Sequence, residues 1–149
     1  MASIKLEAGS ITTILSTEAN SLANNAAALG AEFDNSTGQW LFGLFELNVT
    51  FGAGPTAGST VDLYIIPAPD GTNYNNSVAG ASGSAPSTSY VGGFPLRNVT
   101  SAQKVPIGVA RRVELPPTKF KAFIINRSGQ SFPSSGSTVK LVPYGYQTS

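Results

Sequence analysis

The sequence predicts an all-β chain: an antiparallel β-sandwich of about eight strands, jelly-roll-like, with at most one short helix. Three observations predict it. Apolar and polar residues alternate with period two in run after run, as strands with one buried face require. Clusters of Asn, Asp, Ser and Gly separate the runs at Asn35–Gly38, Asp70–Gly71, Ser128–Gly129 and Ser134–Ser137. Sustained helical periodicity is absent, and many short strands joined by polar turns build sandwiches.

Taken in order, Ile4, Leu6, Ile11 and Leu15 add one or two strands at the start. Ser16–Asn25 is the expected helix, begun by a Ser16 or Thr17 cap. Ala28–Asp34 reads as a strand, and Asn35–Gly38 as the hairpin turn that leads it into the Trp40 strand. In Leu41–Phe51 one face carries Leu41, Gly43, Phe45, Leu47, Val49 and Phe51, while Glu46, Asn48 and Thr50 point the other way. Val61, Leu63 and Ile65 oppose Asp62, Tyr64 and Ile66 in the next strand.

The stretch Thr72–Ser89, rich in Asn, Gly, Ser and Ala and broken by Pro86, shows no element and is read as a projecting contact loop or as disorder. Val105, Ile107, Val109, Val113 and Leu115 share a face interrupted by Arg111, which makes two strands or one with a bulge. Lys119–Asn126 sets Phe120, Ala122 and Ile124 against Lys119, Lys121, Phe123 and Ile125. Its second half is apolar on both faces, so it runs centrally or meets another subunit. Thr138–Tyr144 closes the series, with Val139 and Leu141 opposed to Lys140, Val142 and Tyr144.

A chain of 149 residues fits a single sandwich domain, 1–149, with 1–25 set apart as an N-terminal arm or edge element. It contains no histidine and no cysteine, and only nine bases and eight acids. Most chemistry at neutral pH recruits a histidine, a thiolate or clustered carboxylates, so the composition argues against an enzyme and for a protein that works through shape and surface. The lack of cysteine excludes a disulfide framework and suits a reducing compartment such as a bacterial cytoplasm. Neither a signal peptide nor a membrane span is expected, and the five Asn-x-Ser/Thr sequons at Asn35, Asn48, Asn75, Asn98 and Asn126 read as products of a polar composition.

Motifs that would carry chemistry fall short one by one. Glu32 and Asp34 share a strand face, but no third acid lies nearby to complete a metal site, and a solvated strand end is the simpler reading. Asp70-Gly71-Thr72-Asn73 lacks the later ligands of a calcium loop and reads as a turn. Gly52, Gly54 and Gly58 lack the Lys-Ser/Thr of a phosphate cradle. Serine catalysis without histidine would need a lysine, and every lysine sits in or beside an amphipathic strand. No cofactor or metal is therefore expected. Trp40, Tyr64, Tyr74, Tyr90, Tyr144 and Tyr146 would serve a sugar-stacking platform, although their scatter favours core and rim positions.

Charge is divided. Seven of the acids lie in the first 70 residues beside Lys5 alone, and the other bases follow, beginning at Arg97, with Glu114 as their one acid. Strands of the two halves either interleave and pair opposite charges, or leave a bipolar surface that docks on a partner or a copy. Arg111-Arg112 straddles both faces of a strand, so one guanidinium would turn inward toward Glu46, Asp62 or Glu114. Interspersed bases and a net charge of +1 give no support to nucleic-acid binding.

Several stretches together resemble small virion proteins of tailed bacteriophages. These are Ser3-Ile-Lys-Leu-Glu-Ala-Gly9, Asp34-Asn-Ser-Thr-Gly38 into Trp40-Leu-Phe-Gly-Leu-Phe-Glu-Leu47, Leu63-Tyr-Ile-Ile-Pro-Ala-Pro-Asp-Gly-Thr-Asn-Tyr74, Val91-Gly-Gly-Phe-Pro-Leu96 and, above all, Leu115-Pro-Pro-Thr-Lys-Phe-Lys-Ala-Phe-Ile-Ile-Asn-Arg-Ser-Gly-Gln-Ser-Phe132. The likeness covers most of the chain after about residue 30. It is to head decoration, or cement, proteins, and implies a jelly roll that binds the assembled phage capsid as a homotrimer, with the major capsid protein as partner and neither nucleic acid nor membrane. The residues expected to be bare on a lone sandwich or at subunit or capsid contacts are Phe42, Leu44, Arg111, Arg112, Phe123 and Ile125. A tail or fibre module that binds carbohydrate or host surface is the competing expectation.

Overall fold

The computed structural model describes residues 2–74, 79–81, 83–85 and 87–148. Its strands are β1 (Ile4–Ala8), β2 (Thr12–Leu15), β3 (Ala27–Asp34), β4 (Phe42–Val49), β5 (Thr60–Ala68), β6 (Tyr90–Pro95), β7 (Gln103–Ile107), β8 (Val113–Glu114), β9 (Lys119–Arg127) and β10 (Thr138–Thr148). The first sheet runs β1-β10-β4-β7, with β2 continuing the β1 edge along β10 and β8 continuing the β7 edge along β4. The second runs β3-β9-β5-β6, and every pairing is antiparallel. Orders β2-β10-β4-β7 and β3-β9-β5-β6, with the chain passing repeatedly between sheets, make a jelly roll.

The alternation of each strand decides what the sandwich encloses. Phe45, Leu47 and Val49 of β4, Val139 and Leu141 of β10, Val61, Leu63 and Ile65 of β5, and Phe120, Ala122 and Ile124 of β9 meet in one core with Phe51, Phe94 and Phe132. Leu41, read from the sequence as part of that face, lies beyond the end of β4 and is exposed. Where β3 crosses β2 the layers come close, and a Cβ on Gly30 would stand 2.2 Å from the Ile14 carbonyl oxygen. The β3–β9 register shifts at this point, between Leu29 and Glu32.

Two expectations about the connections are corrected. Ser16–Asn25 is not an α-helix: a 3-10 turn at Thr17–Ala19 is followed by left-handed backbone at Ser21 and Asn25. Its backbone groups are claimed from outside, the Leu22 carbonyl by Phe132 N–H and the Asn126 amide, and Ser21 N–H by the Pro133 carbonyl. Asn35–Gly38 forms one turn of helix, α1, and joins no hairpin, because β3 and β4 belong to different sheets. Asp34 caps this turn by accepting from Ser36 N–H at 2.9 Å, while buried Asn35 donates to the carbonyls of Trp40 (2.9 Å) and Pro116 (2.8 Å) and accepts from Trp40 N–H. The chain therefore turns the corner between sheets instead of doubling back.

The Val105–Leu115 stretch is two strands, β7 and β8, separated by a turn at Gly108 (φ 102°), and Val109 in that turn is exposed. A Cβ at Gly108 would stand 2.8 Å from the Gly43 carbonyl oxygen. At the sheet's outer edge Ile4 is the cross-strand partner of Thr148.

Candidate interaction surface

The two sheets treat their outer faces differently. On the second sheet, Phe123 (0% exposed) and Ile125 (2%) of β9 form a separate apolar cluster with Ala27 and Ile66, covered by Leu29, Tyr64, Tyr74 and Ala85. These two residues, expected to be bare on a lone sandwich, are buried by the chain itself, and β9 runs centrally between β3 and β5. Part of the cover comes from the 72–89 stretch, whose positions 75–78, 82 and 86 lie outside the described residues. Its described part lies against the sheet and does not project: Gly80 exchanges backbone bonds with Ala27, and Gly83 is so close that a Cβ would overlap the Ala27 Cβ at 1.9 Å.

Polar groups fasten this cover. Tyr74 donates its hydroxyl to Glu32, and its ring lies 4.6 Å from Lys121 Nζ. The bond from Tyr74 holds the Glu32 carboxyl below its ordinary pKa, helped by Lys119 at 3.4 Å, while burial and the Glu32 bond push the Tyr74 hydroxyl up. Bonds from Ser36 lower Asp34 likewise. Asp70 accepts from Thr72 N–H and from the backbone and side chain of Asn73, which lower its pKa to about 2. The paired carboxylates and the Asp70 turn thus serve local structure, and among the described residues no group of three or more Asp or Glu could hold a metal ion.

Charge is distributed by interleaving. Glu32 and Asp34 of β3 stand opposite Lys121 and Lys119 of β9, Asp62 of β5 lies 3.8 Å from Arg127, and Glu46 of β4 is the partner of Lys140. Half-exposed pairs of this kind contribute little each, but they absorb much of the division between the acidic and basic halves of the sequence.

The outer face of the first sheet has no such cover among the described residues. Phe42 and Leu44 alternate outward from β4, opposite Tyr144 and Val142 of β10, and β1 extends the row with Leu6 and Ile4, which are 55% and 74% exposed. Leu6, Ala8, Leu44, Val109, Val142 and Tyr144 line an open apolar groove of about 350 Å³. Neither arginine of Arg111-Arg112 turns inward, because both lie in the turn between β7 and β8, on no strand face. Arg112 sits over Phe42 at 4.9 Å and Tyr146 at 5.8 Å, and Phe42 packs on Tyr144 at 5.4 Å. Arg111 donates to the Val91 carbonyl at 3.2 Å. Both line an open cleft of about 660 Å³ between β6 and β8, with Tyr90, Glu114 and Pro117.

The aromatics form no single platform: Tyr144 and Tyr146 lie on the first sheet, Tyr64 and Tyr90 pack together on the second at 5.3 Å, and Trp40 flanks the core. Two sequon asparagines, Asn35 and Asn126, are fully buried with their amides engaged. The difference between the outer faces escaped the sequence because buried Phe123 and half-buried Leu44 carry the same pattern. One signal was present: Ile4 and Leu6 of β1 and Val142, Tyr144 and Tyr146 of β10 recur with period two on the face that the structure turns outward.

No family model and no curated protein matches this sequence. Among solved structures, the chain is similar in fold to one from desmodium yellow mottle tymovirus, at 10% identity and a TM-score of 0.41, covering 100% of this chain and 89% of that one. A chain from a semi-empty virus-like particle of the giant freshwater prawn Macrobrachium rosenbergii nodavirus gives 13% identity and a TM-score of 0.40, with 99% and 94% covered. A carbohydrate-binding module of the β-sandwich superfamily gives 9% and 0.34, with 97% and 56% covered.

Proposed function

We propose that this chain is a structural protein of a virus particle that binds the assembled head of a tailed bacteriophage and stabilises it as a decoration or cement protein, in groups of three. The supporting observation is the apolar outer face of the first sheet, where exposed Leu6 and Val109 and half-buried Leu44, Val142 and Tyr144 line an open groove, on a jelly roll whose opposite face closes itself. An exposed apolar patch of this kind marks a contact surface, and the sequence resemblance names the partner, the major capsid protein. Repetition over a lattice turns modest contacts into firm attachment through avidity. This function calls for no cofactor, metal, nucleic acid or membrane. The protein would be made in the bacterial cytoplasm as a single domain and end on the virion surface.

The test is binding to purified, undecorated capsids. Saturable binding at a stoichiometry set by the lattice is expected, and it should fall sharply in Leu44→Glu/Val142→Lys, whose opposite charges face each other across β4 and β10, while the melting temperature of the free protein holds. Absence of binding, or binding that the double variant leaves intact, overturns the reading.

A second reading rests on the cleft that carries Tyr90, Arg111, Arg112 and Glu114: an aromatic ring with charged donors and acceptors beside it suits a sugar on a host surface. Glycan binding that is lost in Tyr90→Ala would put the protein on a tail or fibre instead.

A further inference from the structure

We propose that β1 joins two copies of this chain edge to edge, antiparallel, with Leu6 on the two-fold axis. Strand β1 forms the outer edge of the first sheet and is exposed along its whole length. Gly9 N–H donates to the Pro143 carbonyl at 2.7 Å, in the register that pairs Glu7 with Gly145 and Lys5 with Gln147. Bonded and non-bonded pairs alternate in an antiparallel ladder. Lys5, Glu7 and Gly9 therefore bond to β10, and Ile4, Leu6 and Ala8 turn their backbone N–H and C=O toward the open edge. An unpaired edge of this length is a template for another strand.

The sequence of β1 selects which strand fits. When a second copy runs antiparallel about Leu6, the edge-facing residues meet one another: Ile4 faces Ala8, Leu6 faces Leu6, and Ala8 faces Ile4. In the same register Lys5 stands opposite Glu7 of the other copy, twice. The two neighbouring registers that keep the bonding pattern place Lys5 opposite Lys5 or Glu7 opposite Glu7, and like charges directly opposite destabilise a sheet. Within one chain the cross-strand partners of Lys5 and Glu7 are Gln147 and Gly145, neither of them charged. The resulting interface is isologous, as a two-fold requires, and it joins the two apolar outer faces side by side through Leu6.

The pairing is a property of the isolated chain and stands or falls separately from capsid binding. Sedimentation of the full chain should show association in even multiples. Lys5→Glu and Glu7→Lys should each weaken the pairing about tenfold or more, and the double variant Lys5→Glu/Glu7→Lys should restore it. All three leave the core untouched, so at concentrations low enough to dissociate the parent their melting temperatures should match it. In this cysteine-free chain Leu6→Cys supplies a single thiol that oxidation should link to its mate across the axis, since bonded pairs stand about 5.5 Å apart between Cα atoms. A chain that stays monomeric, a trimer that does not pair further, or association unmoved by Lys5→Glu overturns the proposal. So does a monomer whose capsid binding depends on Lys5, because the edge then accepts a strand of capsid protein and not a copy.

Discussion

The hydroxyl of Tyr74 is bonded to the carboxylate of Glu32, two residues that stand 42 positions apart in the sequence. That bond, with Lys121 under the Tyr74 ring, anchors the start of the 72–85 stretch over Phe123 and Ile125. A second small core on the outside of the sandwich is the result.

If Phe123 is a core residue, Phe123→Ala should cost about 3–5 kcal/mol in chemical denaturation, as other buried phenylalanines do. A residue held bare for a partner would cost far less. Tyr74→Phe should leave the midpoint nearly unchanged but hasten amide exchange at Ala27 and Gly80, whose mutual bonds depend on the cover staying in place. A Phe123→Ala loss below about 1 kcal/mol, within the range of an ordinary surface substitution, would refute the second core.

Stability should be flat from about pH 5.5 to 8, because the chain has neither histidine nor cysteine to titrate there. Glu32, Asp34 and Asp70 all have folded pKa values below their ordinary ones, so their ionised forms favour the folded state above about pH 4. That contribution is lost as pH falls through the folded values, ending near 2 for Asp70. Melting temperatures should accordingly drop between pH 4.5 and 2, and Asp70→Asn should flatten the lowest part of the curve. Tyr64 and Tyr74 are shifted upward, so a second loss should begin above about pH 10.

The crossing of β3 over β2 allows no side chain at residue 30. Gly30→Ala should cost about 1–3 kcal/mol by forcing the Ile14 carbonyl away. Gly52, which has open space around it, provides the control: Gly52→Ala should change stability by less than about 0.5 kcal/mol. Equal effects at the two positions would mean that the layers are not in contact there.

Much of the fold was legible because period two is a direct record of burial. Phe45, Leu47 and Val49, or Val61, Leu63 and Ile65, announce a strand and its inner face without reference to the rest of the chain. Alternation does not say which strand lies alongside, and this is why Asn35–Gly38 reads equally well as a hairpin turn or as the helical turn that carries the chain to the other sheet. The Ser16–Asn25 segment failed for a related reason: its backbone is satisfied by Asn126, Phe132 and Pro133, more than a hundred positions away.

The site was legible only in part. Phe42 and Leu44 lie half-buried on the outer face of the first sheet, whereas Phe123 and Ile125 look identical in pattern and are covered by a segment about 40 to 50 residues upstream. The sequence reads one guanidinium of Arg111-Arg112 as turned inward toward an acid, and instead Arg112 lies over two aromatic rings on the surface and Arg111 donates to the Val91 carbonyl. A guanidinium accepts either environment, and sequence spacing does not distinguish them.

The cross-strand pairing of Ile4 with Thr148 brings the two ends of the described chain to the same place. Cargo genetically attached at either end would leave from one point on the sheet edge, and a short linker between the ends would allow the chain to be reopened elsewhere, for instance at exposed Ser134–Gly136. The path of the described chain is in this sense a nearly closed loop. Where its polypeptide starts can be chosen as a matter of engineering.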